Sequence, residues 1–306
     1  MLLVLTGCSS DEEKQNLNSN SKNSLASKVK IGDYVAYKTD ANNTYTSPSE
    51  KTGYSKPQTF TTTGEEKWRV LDIKDEGTVV LISADEIKTN QNNTYYLNGE
   101  QGYINGVNEL NSIAKIYGNG EHSSNARHLT REDINNLIGL EKFAQFYNIN
   151  LSNYNTDEEK WKEIYKLMDE NYGKEITSED DGTTETVNYY EIKLSDFFKD
   201  TDEVYQSLLG GMYWLSNQTI RYNCGSSLQG SYDYFEYGIV YLSAKSSASY
   251  NKFNLDARYS SIALNCSGNY TTNTALYYSV RPVVELDSNA ECNAGTGSIS
   301  DPYTIK

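Results

Sequence analysis

The period of the hydrophobic pattern changes twice along the chain, and this order constrains the fold more than any single motif. Short apolar segments typical of strands lie on both sides of a central region, in 29–37, 68–73, 78–83, 237–243 and 280–286, and the first and fourth of them alternate as half-buried strands do. Between them, apolar residues recur at helical spacing in 104–117, 130–138 and 157–170. Strands, then helices, then strands predict one α+β domain rather than alternating β–α units.

Two polar regions and one turn refine this outline. Lys74–Gly77 separates two of the predicted strands, and Gly77 suits a positive-φ turn position, so we expect a β-hairpin here. Residues 39–63 are polar and lack periodicity, which indicates a long insertion without regular structure. Residues 178–186 are acidic and rich in Gly and Thr, which indicates a surface loop.

The N-terminus carries a motif that predicts where the protein is located. A short apolar run ends in L-T-G-C at residues 5–8, the order of a bacterial lipobox, in which Cys8 is lipidated and becomes the mature N-terminus. No Lys or Arg precedes Cys8 and the apolar run is short, so the pattern indicates a truncated signal peptide. The alternative is a disordered N-terminus with one free thiol.

These features predict three parts. Residues 1–8 are a truncated lipoprotein signal, and residues 9–28 are a disordered tether, because their polar composition cannot bury enough apolar surface to fold. Residues 29–306 form a single extracellular domain. We therefore expect the protein at the extracellular face of the cytoplasmic membrane, anchored by lipid on Cys8.

Charge disfavours nucleic acid as a partner, and the short apolar stretches argue against a membrane-spanning helix. The net charge is −15 and the chain has no cluster of Lys and Arg, so binding to nucleic acid is disfavoured. No apolar stretch approaches the roughly 20 residues of a membrane-spanning helix. The lipid is therefore the expected contact with the membrane.

Three cysteines remain once Cys8 is assigned to the lipid: Cys224, Cys266 and Cys292. None forms a C-x-x-C pair, which argues against structural zinc and redox centres. Outside the cell, a disulfide between Cys224 and Cys266 would close a long loop and stabilise the fold by about 3–4 kcal/mol. Three free thiols are the equal alternative.

The titratable residues predict no catalytic centre. His122 and His128 lie six positions apart and share no helical face, and a G-x-S-x-G motif is absent. We expect His128 to pack or hydrogen-bond locally. Asp233 and Glu236 are the kind of pair that can flank a glycosidic bond, but among 42 acidic residues such pairs arise by chance.

No cofactor or metal site is predicted from a motif. The loop 177–188 has Thr177 and Asn188 at the first and twelfth positions of an EF-hand, so the bidentate carboxylate is missing. Calcium at another, unlocated site stays open for an acidic extracellular protein.

Tyrosine dominates the aromatic residues, with 27 Tyr against 7 Phe, and is interleaved with Ser, Asn and Gly in the C-terminal third. Binding surfaces use this mixture because Tyr offers large, rigid contact area and the small polar residues adapt their hydrogen bonds. The predicted ligand contacts are Tyr232, Tyr234, Tyr250, Arg258, Tyr259 and Tyr270. The alternative is that Tyr replaces Phe throughout the core. We expect Trp68 and Trp214 in the core and Arg281 to satisfy a strand end.

Six short motifs in a fixed order support a family resemblance. They are Val29–Val35, Trp68–Leu71, Val80–Ala84, Ala126–Thr130, Tyr213–Ser216 and Val280–Val284. This succession resembles an uncharacterised domain of Firmicutes surface proteins that ends in a W-L-x-S … V-R-P pattern. The Trp strand and the Val-Arg strand are also similar to the C-type-lectin-like fold shared by formylglycine-generating enzymes and phage receptor-binding proteins.

The resemblance implies an exposed module that recurs behind different anchors. Together with the sequence pattern it predicts a C-type-lectin-like mixed domain with an N-terminal β-hairpin, central helices and a Tyr-rich β part at the C-terminus. It implies no known activity, and the chain lacks the triplets of calcium-dependent sugar binding. We therefore expect a non-catalytic surface lipoprotein that binds an extracellular protein or glycan. The alternatives are a carbohydrate-active enzyme with an unidentified carboxylate pair, and a structural or assembly subunit of the cell surface.

The lipid anchor gives the first testable prediction. In the producing bacterium Cys8 should carry a diacylglyceryl group, because two acyl chains bind a bilayer stably where one binds reversibly. Mass spectrometry of the N-terminal peptide measures this, and Cys8→Ala should move the protein out of the membrane fraction. An unmodified thiol at position 8 would contradict the prediction.

Overall fold

The computed structural model describes residues 23–118, 122–171, 175–178, 186–189, 197, 203–223, 234–244, 258–259, 262–265, 271–273 and 276–306. In these residues helices combine with antiparallel sheets, so the predicted α+β class is confirmed. No helix in the described part of the chain has the length and apolar character needed to cross a bilayer.

The described strands follow one another in this order: β1 (Tyr34–Val35), β2 (Thr44–Ser47), β3 (Gln58–Thr61), β4 (Trp68–Ile73), β5 (Val79–Ser83), β6 (Tyr95–Leu97), β7 (Ser123–His128), β8 (Glu175–Ser178), β9 (Thr186–Tyr189), β10 (Gly211–Asn223), β11 (Tyr234–Ala244), β12 (Arg258–Tyr259), β13 (Ile262–Asn265), β14 (Thr271–Asn273), β15 (Leu276–Tyr278), β16 (Pro282–Leu286), β17 (Cys292–Ala294) and β18 (Thr304–Ile305). The described helices are α1 (Ser49–Thr52), α2 (Gly99–Lys115), α3 (Arg131–Ile138), α4 (Leu140–Phe146), α5 (Asp157–Asn171) and α6 (Glu203–Leu209).

A five-stranded antiparallel sheet organises the domain, with the order β1-β4-β5-β16-β7. The strand β16 comes from the far C-terminal part of the chain, yet it lies between β5 and β7. Val283 pairs with Ile82 on one side and with Arg127 on the other. The two ends of the domain therefore share one sheet.

Both faces of this sheet are covered, and alternate residues of β5 show how. Val79 and Leu81 belong to a core that α2 covers, whereas Val80 and Ile82 belong to a second core that α3 to α6 cover. The helices extend this burial because their apolar residues recur on one face. The result is a sheet between two helical layers.

Several predicted elements are confirmed with small shifts of their bounds. The hairpin β4–β5 turns through Gly77, whose φ is +88°. The three periodic segments correspond to α2, α3 and α5. Thr130 caps α3 in a reciprocal capping box with Asp133, which explains why the helix begins there. Trp68 and Trp214 are both buried, as expected.

The polar insertion 39–63 is the clearest correction. It contains the hairpin β2–β3 and the helix α1 instead of irregular chain. Each of these elements has only four residues, and the hairpin presents threonine pairs to solvent, such as Thr46 and Thr59 with their Oγ1 atoms 3.0 Å apart. Phe60 is the apolar residue that anchors the hairpin in the core. A four-residue strand carries too few apolar positions to show a period.

Packing also begins earlier than Val29. Leu25 is fully buried in the core that α2 covers, although the sequence places it in the tether 9–28. Its backbone N donates to the Ala290 carbonyl oxygen, and the Cys292 N donates to the Asn23 oxygen, both over 2.8 Å. The single buried Leu and these backbone bonds hold a segment whose composition alone does not predict order. The rest of the tether and Cys8 lie outside the described residues.

The C-terminal half adds a second sheet, in which β10, β11, β13 and β14 are neighbours and β12 pairs with β11. The predicted strand 237–243 is confirmed as the middle of β11. At its start β10 enters the core, where Trp214 Nε1 donates to the Tyr95 carbonyl oxygen over 2.9 Å. This bond joins β10 to the small sheet β6–β15.

The buried position of Leu25 predicts a measurable cost. Leu25→Ala should lower the free energy of unfolding by about 2–4 kcal/mol, because it leaves a cavity in a closed core. Ile299→Ala, at a position 59% exposed, is the control and should change it by less than about 0.5 kcal/mol. Urea unfolding followed by circular dichroism measures both. Equal small effects would show that residues 23–28 do not belong to the folded domain.

Candidate functional site

A loop that follows β5, residues 88–93, separates two surface cavities. Backbone bonds close it: Thr89 N donates to the Asn93 oxygen over 2.8 Å and Asn92 N to the Thr89 oxygen over 2.7 Å. Asn92 has a φ of +58°, a conformation that Asn adopts more readily than most residues. The loop is therefore a defined wall between the cavities.

The first cavity, here called the tyrosine groove, has a volume of about 240 Å³. It is lined by Tyr54, Lys56, Pro57, Gln58, Thr89, Gln91, Asn93, Thr94 and Tyr96. Its volume lies below the roughly 300–1,000 Å³ of sites for drug-sized molecules. It therefore suits one small unit of a longer ligand.

Three tyrosine rings form a continuous aromatic surface at this groove. Tyr54 and Tyr96 stack with their centroids 4.3 Å apart and their planes 9° from parallel. Tyr277 lies against the same surface, 5.1 Å from Tyr96 and tilted by 40°, and it is 55% exposed. Stacked aromatic pairs stabilise each other beyond their buried area, so this surface is fixed before any ligand arrives.

Backbone pairing holds two of these rings in place. Tyr96 and Tyr277 are directly opposite each other in the antiparallel pair β6–β15. On its other side, the Tyr96 backbone is bonded by the buried side-chain amide of Gln58, as it would be by a neighbouring strand. Gln58 Nε2 donates to the Tyr96 oxygen over 2.9 Å, and Gln58 Oε1 accepts from the Tyr96 N over 2.8 Å. The ring therefore stands on a backbone that is bonded on both sides.

The third ring, Tyr54, follows the end of α1. Gly53 ends that helix with a φ of +67°, and a Cβ at this position would meet the carbonyl oxygen of Asn98. Asn98 N donates to the Thr52 oxygen over 2.7 Å, which ties the end of α1 to the start of α2. The close approach needs glycine and sets the position of Tyr54.

The buried carboxylate of Glu109 holds the elements that carry Tyr54 and its neighbours. Glu109 in α2 accepts hydrogen bonds from Tyr45 Oη over 2.8 Å and from Ser47 Oγ over 2.5 Å, and Lys51 Nζ lies 3.3 Å away. Burial, together with the neighbouring Glu109, raises the pKa of Tyr45 to about 12. Since these partners come from β2 and α1, Glu109 fixes both elements against α2.

The second cavity, here called the acidic cavity, has a volume of about 520 Å³. Four carboxylates line it, from Glu65, Glu66, Asp85 and Glu86, beside the ammonium groups of Lys67 and Lys88. Two of the carboxylates have structural partners. Glu66 accepts from the backbone N of Thr63 and Gly64 over 2.6 and 3.0 Å. Glu86 accepts from the Met212 N and from Ser279 Oγ over 2.5 and 3.0 Å.

His128 belongs to the core and not to either cavity. Its Nε2 accepts from the Arg281 backbone N over 3.0 Å, and its Nδ1 lies 3.2 Å from the Leu129 oxygen, so the neutral ring with a proton on Nδ1 fits both contacts. Burial lowers the pKa of His128 to about 4. The expectation of a local structural role is confirmed.

Arg281 is also structural, as expected. It is 1% exposed, and its guanidinium donates to three carbonyl oxygens, those of Ser83, Leu208 and Gly210, over 2.7 to 3.2 Å. The Tyr213 ring lies under the guanidinium, 5.0 Å from its centroid. These contacts satisfy the end of β5 and the C-terminal end of α6 together.

All six predicted ligand contacts stay predictions. Tyr234 lies at the start of β11, and Arg258 and Tyr259 form β12, but their side chains are not among those that the structure describes. The remaining predicted residues lie outside the described part of the chain: Tyr232, Tyr250, Tyr270, Cys224, Cys266 and Cys8. Cys292 is a half-buried free thiol.

The pattern of tyrosine doublets could have located the groove. Tyr95-Tyr96 and Tyr277-Tyr278 each place one ring in the core and one outside, because neighbouring residues of a strand point to opposite faces. Tyr54 has no such signal, since it follows a helix of four residues. Among the described residues, no group of three or more His, Cys, Asp or Glu is arranged to hold a metal ion.

Comparison with protein-family models, with curated proteins and with solved structures finds no match for this chain.

The state of His128 gives a prediction on pH. Its pKa in the folded protein is lowered from 6.5 to about 4, so the unfolded chain binds the proton first as the pH falls. The free energy of unfolding should therefore decrease between pH 6.5 and 4, by up to about 1 kcal/mol per pH unit from this group. His128→Gln should show a shallower dependence over this window in urea unfolding. Identical slopes would mean that the ring is not held neutral.

Proposed function

We propose that this domain is a non-catalytic binding module that holds a unit of a glycan in the tyrosine groove. The stacked pair Tyr54–Tyr96 beside the side chains of Gln91 and Asn93 carries this proposal. A sugar ring presents C–H groups on its faces and hydroxyl groups at its edge. Aromatic faces suit the former, and amides suit the latter because they both donate and accept hydrogen bonds.

The position of Tyr277 extends the proposed surface beyond the groove. Tyr54 and Tyr96 cover each other on one face, whereas Tyr277 is more than half exposed at the end of the aromatic row. A ligand longer than one sugar unit therefore finds a second aromatic face next to the first. This arrangement favours an extended chain over a single small molecule.

The lining of the groove favours binding over catalysis. Glycoside hydrolysis ordinarily uses a pair of carboxyl groups on either side of the scissile bond. Among the described residues that line the groove, none is Asp, Glu or His. The unit held in the groove meets amides, hydroxyls, rings and the ammonium group of Lys56, a set without the carboxyl pair of a glycosidase.

We also propose a C-type-lectin-like fold and display at the cell surface through lipid on Cys8. Support for the fold comes from the sequence resemblance and from the contact of its two signature segments. Trp214 N donates to the Ser279 oxygen over 3.0 Å, which sets the W-L-S segment beside the strand that leads to β16. Support for display comes from the L-T-G-C motif and the polar stretch after it.

Substitutions of the rings test the proposed function. The full chain is first screened on an array of glucose, galactose, mannose and N-acetylglucosamine oligomers, and the best binder is titrated by calorimetry. Tyr54→Ala and Tyr277→Ala should each weaken binding by roughly 1–2 kcal/mol, or about five- to thirty-fold in Kd. Tyr54→Phe should retain most of the affinity, because it keeps the ring.

Tyr154→Ala is the matched control, since this half-buried tyrosine lies between α4 and α5 in the opposite helical layer. Its affinity should equal that of the unmodified protein. An array without hits, or equal losses for all three alanine variants, would contradict glycan binding in the groove. Turnover of the bound oligomer would favour the carbohydrate-active enzyme instead.

A further inference from the structure

We propose that the acidic cavity is a second subsite of the same glycan site and that it binds a sugar unit carrying a free ammonium group. The inference rests on the proposed function, because it assigns the unit next to the one in the tyrosine groove. The predicted ligand class is an amino-sugar oligomer that is at least partly unacetylated.

The loop 88–93, which separates the two cavities, contributes side chains to both of them. Thr89 lines both of them, Asn90 and Asn92 line the acidic cavity, and Gln91 and Asn93 line the tyrosine groove. The backbone bonds of the loop hold these alternating side chains in place. A linear ligand that crosses the loop therefore reaches both cavities.

Charge determines which unit suits the acidic cavity. Four carboxylates and two ammonium groups line it, so its charge is negative. The exposed carboxylates of Glu65 and Asp85 make no salt bridge or hydrogen bond with the described residues, although Asp85 interacts electrostatically with Arg281. Glu66 and Glu86, in contrast, accept hydrogen bonds. An ammonium group on the ligand supplies a partner of the required sign.

A buried hydroxyl gives an independent indication of a ligand. Ser83 lines the acidic cavity and is 1% exposed, and its Oγ has no hydrogen-bond partner within the described chain. Arg281 binds the Ser83 carbonyl oxygen and leaves the hydroxyl unused. Buried hydroxyls are almost always paired in native proteins, with protein groups or ordered water. We assign a polar group of a ligand in this cavity as the partner of Ser83 Oγ.

Size and position favour a sugar over a larger partner. The volume of about 520 Å³ lies within the roughly 300–1,000 Å³ of sites for small organic ligands. Its neighbour across the loop is the aromatic groove already assigned to a sugar unit. One oligomer with hydroxyls, C–H faces and an ammonium group matches both cavities at once.

The test compares two oligomers that differ in charge. Tetramers of glucosamine and of N-acetylglucosamine are titrated into the full chain by calorimetry. Glu65→Gln with Asp85→Asn should weaken binding of the glucosamine tetramer about three- to thirty-fold and leave the N-acetylglucosamine tetramer unchanged. The affinity for glucosamine should also fall as salt is raised, since the carboxylates are exposed.

The matched control is Asp75→Asn with Glu76→Gln, which removes one Asp and one Glu from the exposed turn between β4 and β5. It should bind both tetramers like the unmodified protein. A loss as large as that of the Glu65 and Asp85 variant would show a general effect of net charge and would overturn the subsite.

Ser83→Ala separates a ligand contact from a structural role. Removing an unpaired buried hydroxyl should leave the free energy of unfolding unchanged or raise it, while the affinity for the glucosamine tetramer falls about three- to ten-fold. Unchanged affinity would overturn the assignment of Ser83 as a ligand contact.

The outcomes also separate the two proposals. The subsite would be overturned and the proposed function kept by one pair of results. In this pair, Tyr54→Ala weakens binding of the N-acetylglucosamine tetramer, and the Glu65 and Asp85 variant binds the glucosamine tetramer like the unmodified protein. If neither tetramer binds, the subsite and the choice of an amino sugar are both overturned. Binding of another oligomer on the array would still support the proposed glycan-binding function. Tighter binding of tetralysine than of glucosamine, lost in the Glu65 and Asp85 variant, would assign the cavity to a basic peptide.

Discussion

The guanidinium of Arg281 joins parts of the domain that are far apart in the chain. It lies directly before β16 and donates to carbonyl oxygens at the end of β5 and at the end of α6. A buried charge is costly unless its hydrogen bonds are complete, so β5, α6 and β16 can pack only in the arrangement that completes them. Ser83, one of the acceptors, also lines the acidic cavity, and the central sheet thereby sets the position of the proposed site.

Tyrosine has two separate uses in the described part of the molecule. Some rings replace Phe in the core, and their hydroxyls are paired there: Tyr37 with the Tyr117 oxygen, Tyr95 with Ser47, and Tyr213 with the Leu209 oxygen. Tyr54, Tyr96 and Tyr277 instead line the surface. The interpretation that Tyr replaces Phe therefore holds for the core residues, whereas a binding role for the exposed rings stays a proposal. The strand doublets show how one sequence pattern places one ring inside and one outside.

Sequence periodicity predicts the elements that carry many apolar residues, and it fails where elements are short. The helix α2 and the hairpin β4–β5 have enough alternating or recurring residues to be recognised, whereas α1 has four residues and no apolar side chain. The insertion of β16 between β5 and β7 depends on pairing over a long sequence separation, which local patterns do not encode. The tyrosine groove draws on residues 54–58 and 89–96, and Tyr277 adjoins it from a third segment, so no contiguous motif marks it.

The weakly apolar elements around the groove are held by polar contacts, and this has a consequence for binding. Hydrophobic burial alone anchors β2, β3 and α1 poorly, since Phe60 is their only fully buried apolar side chain. Glu109 adds directional bonds to Tyr45, Ser47 and Lys51, and Gln58 does the same for Tyr96. Directional bonds fix orientation more closely than apolar contact does. If the groove binds a glycan as proposed, rings that are already ordered lose less conformational entropy on binding, so a small groove can still contribute useful affinity.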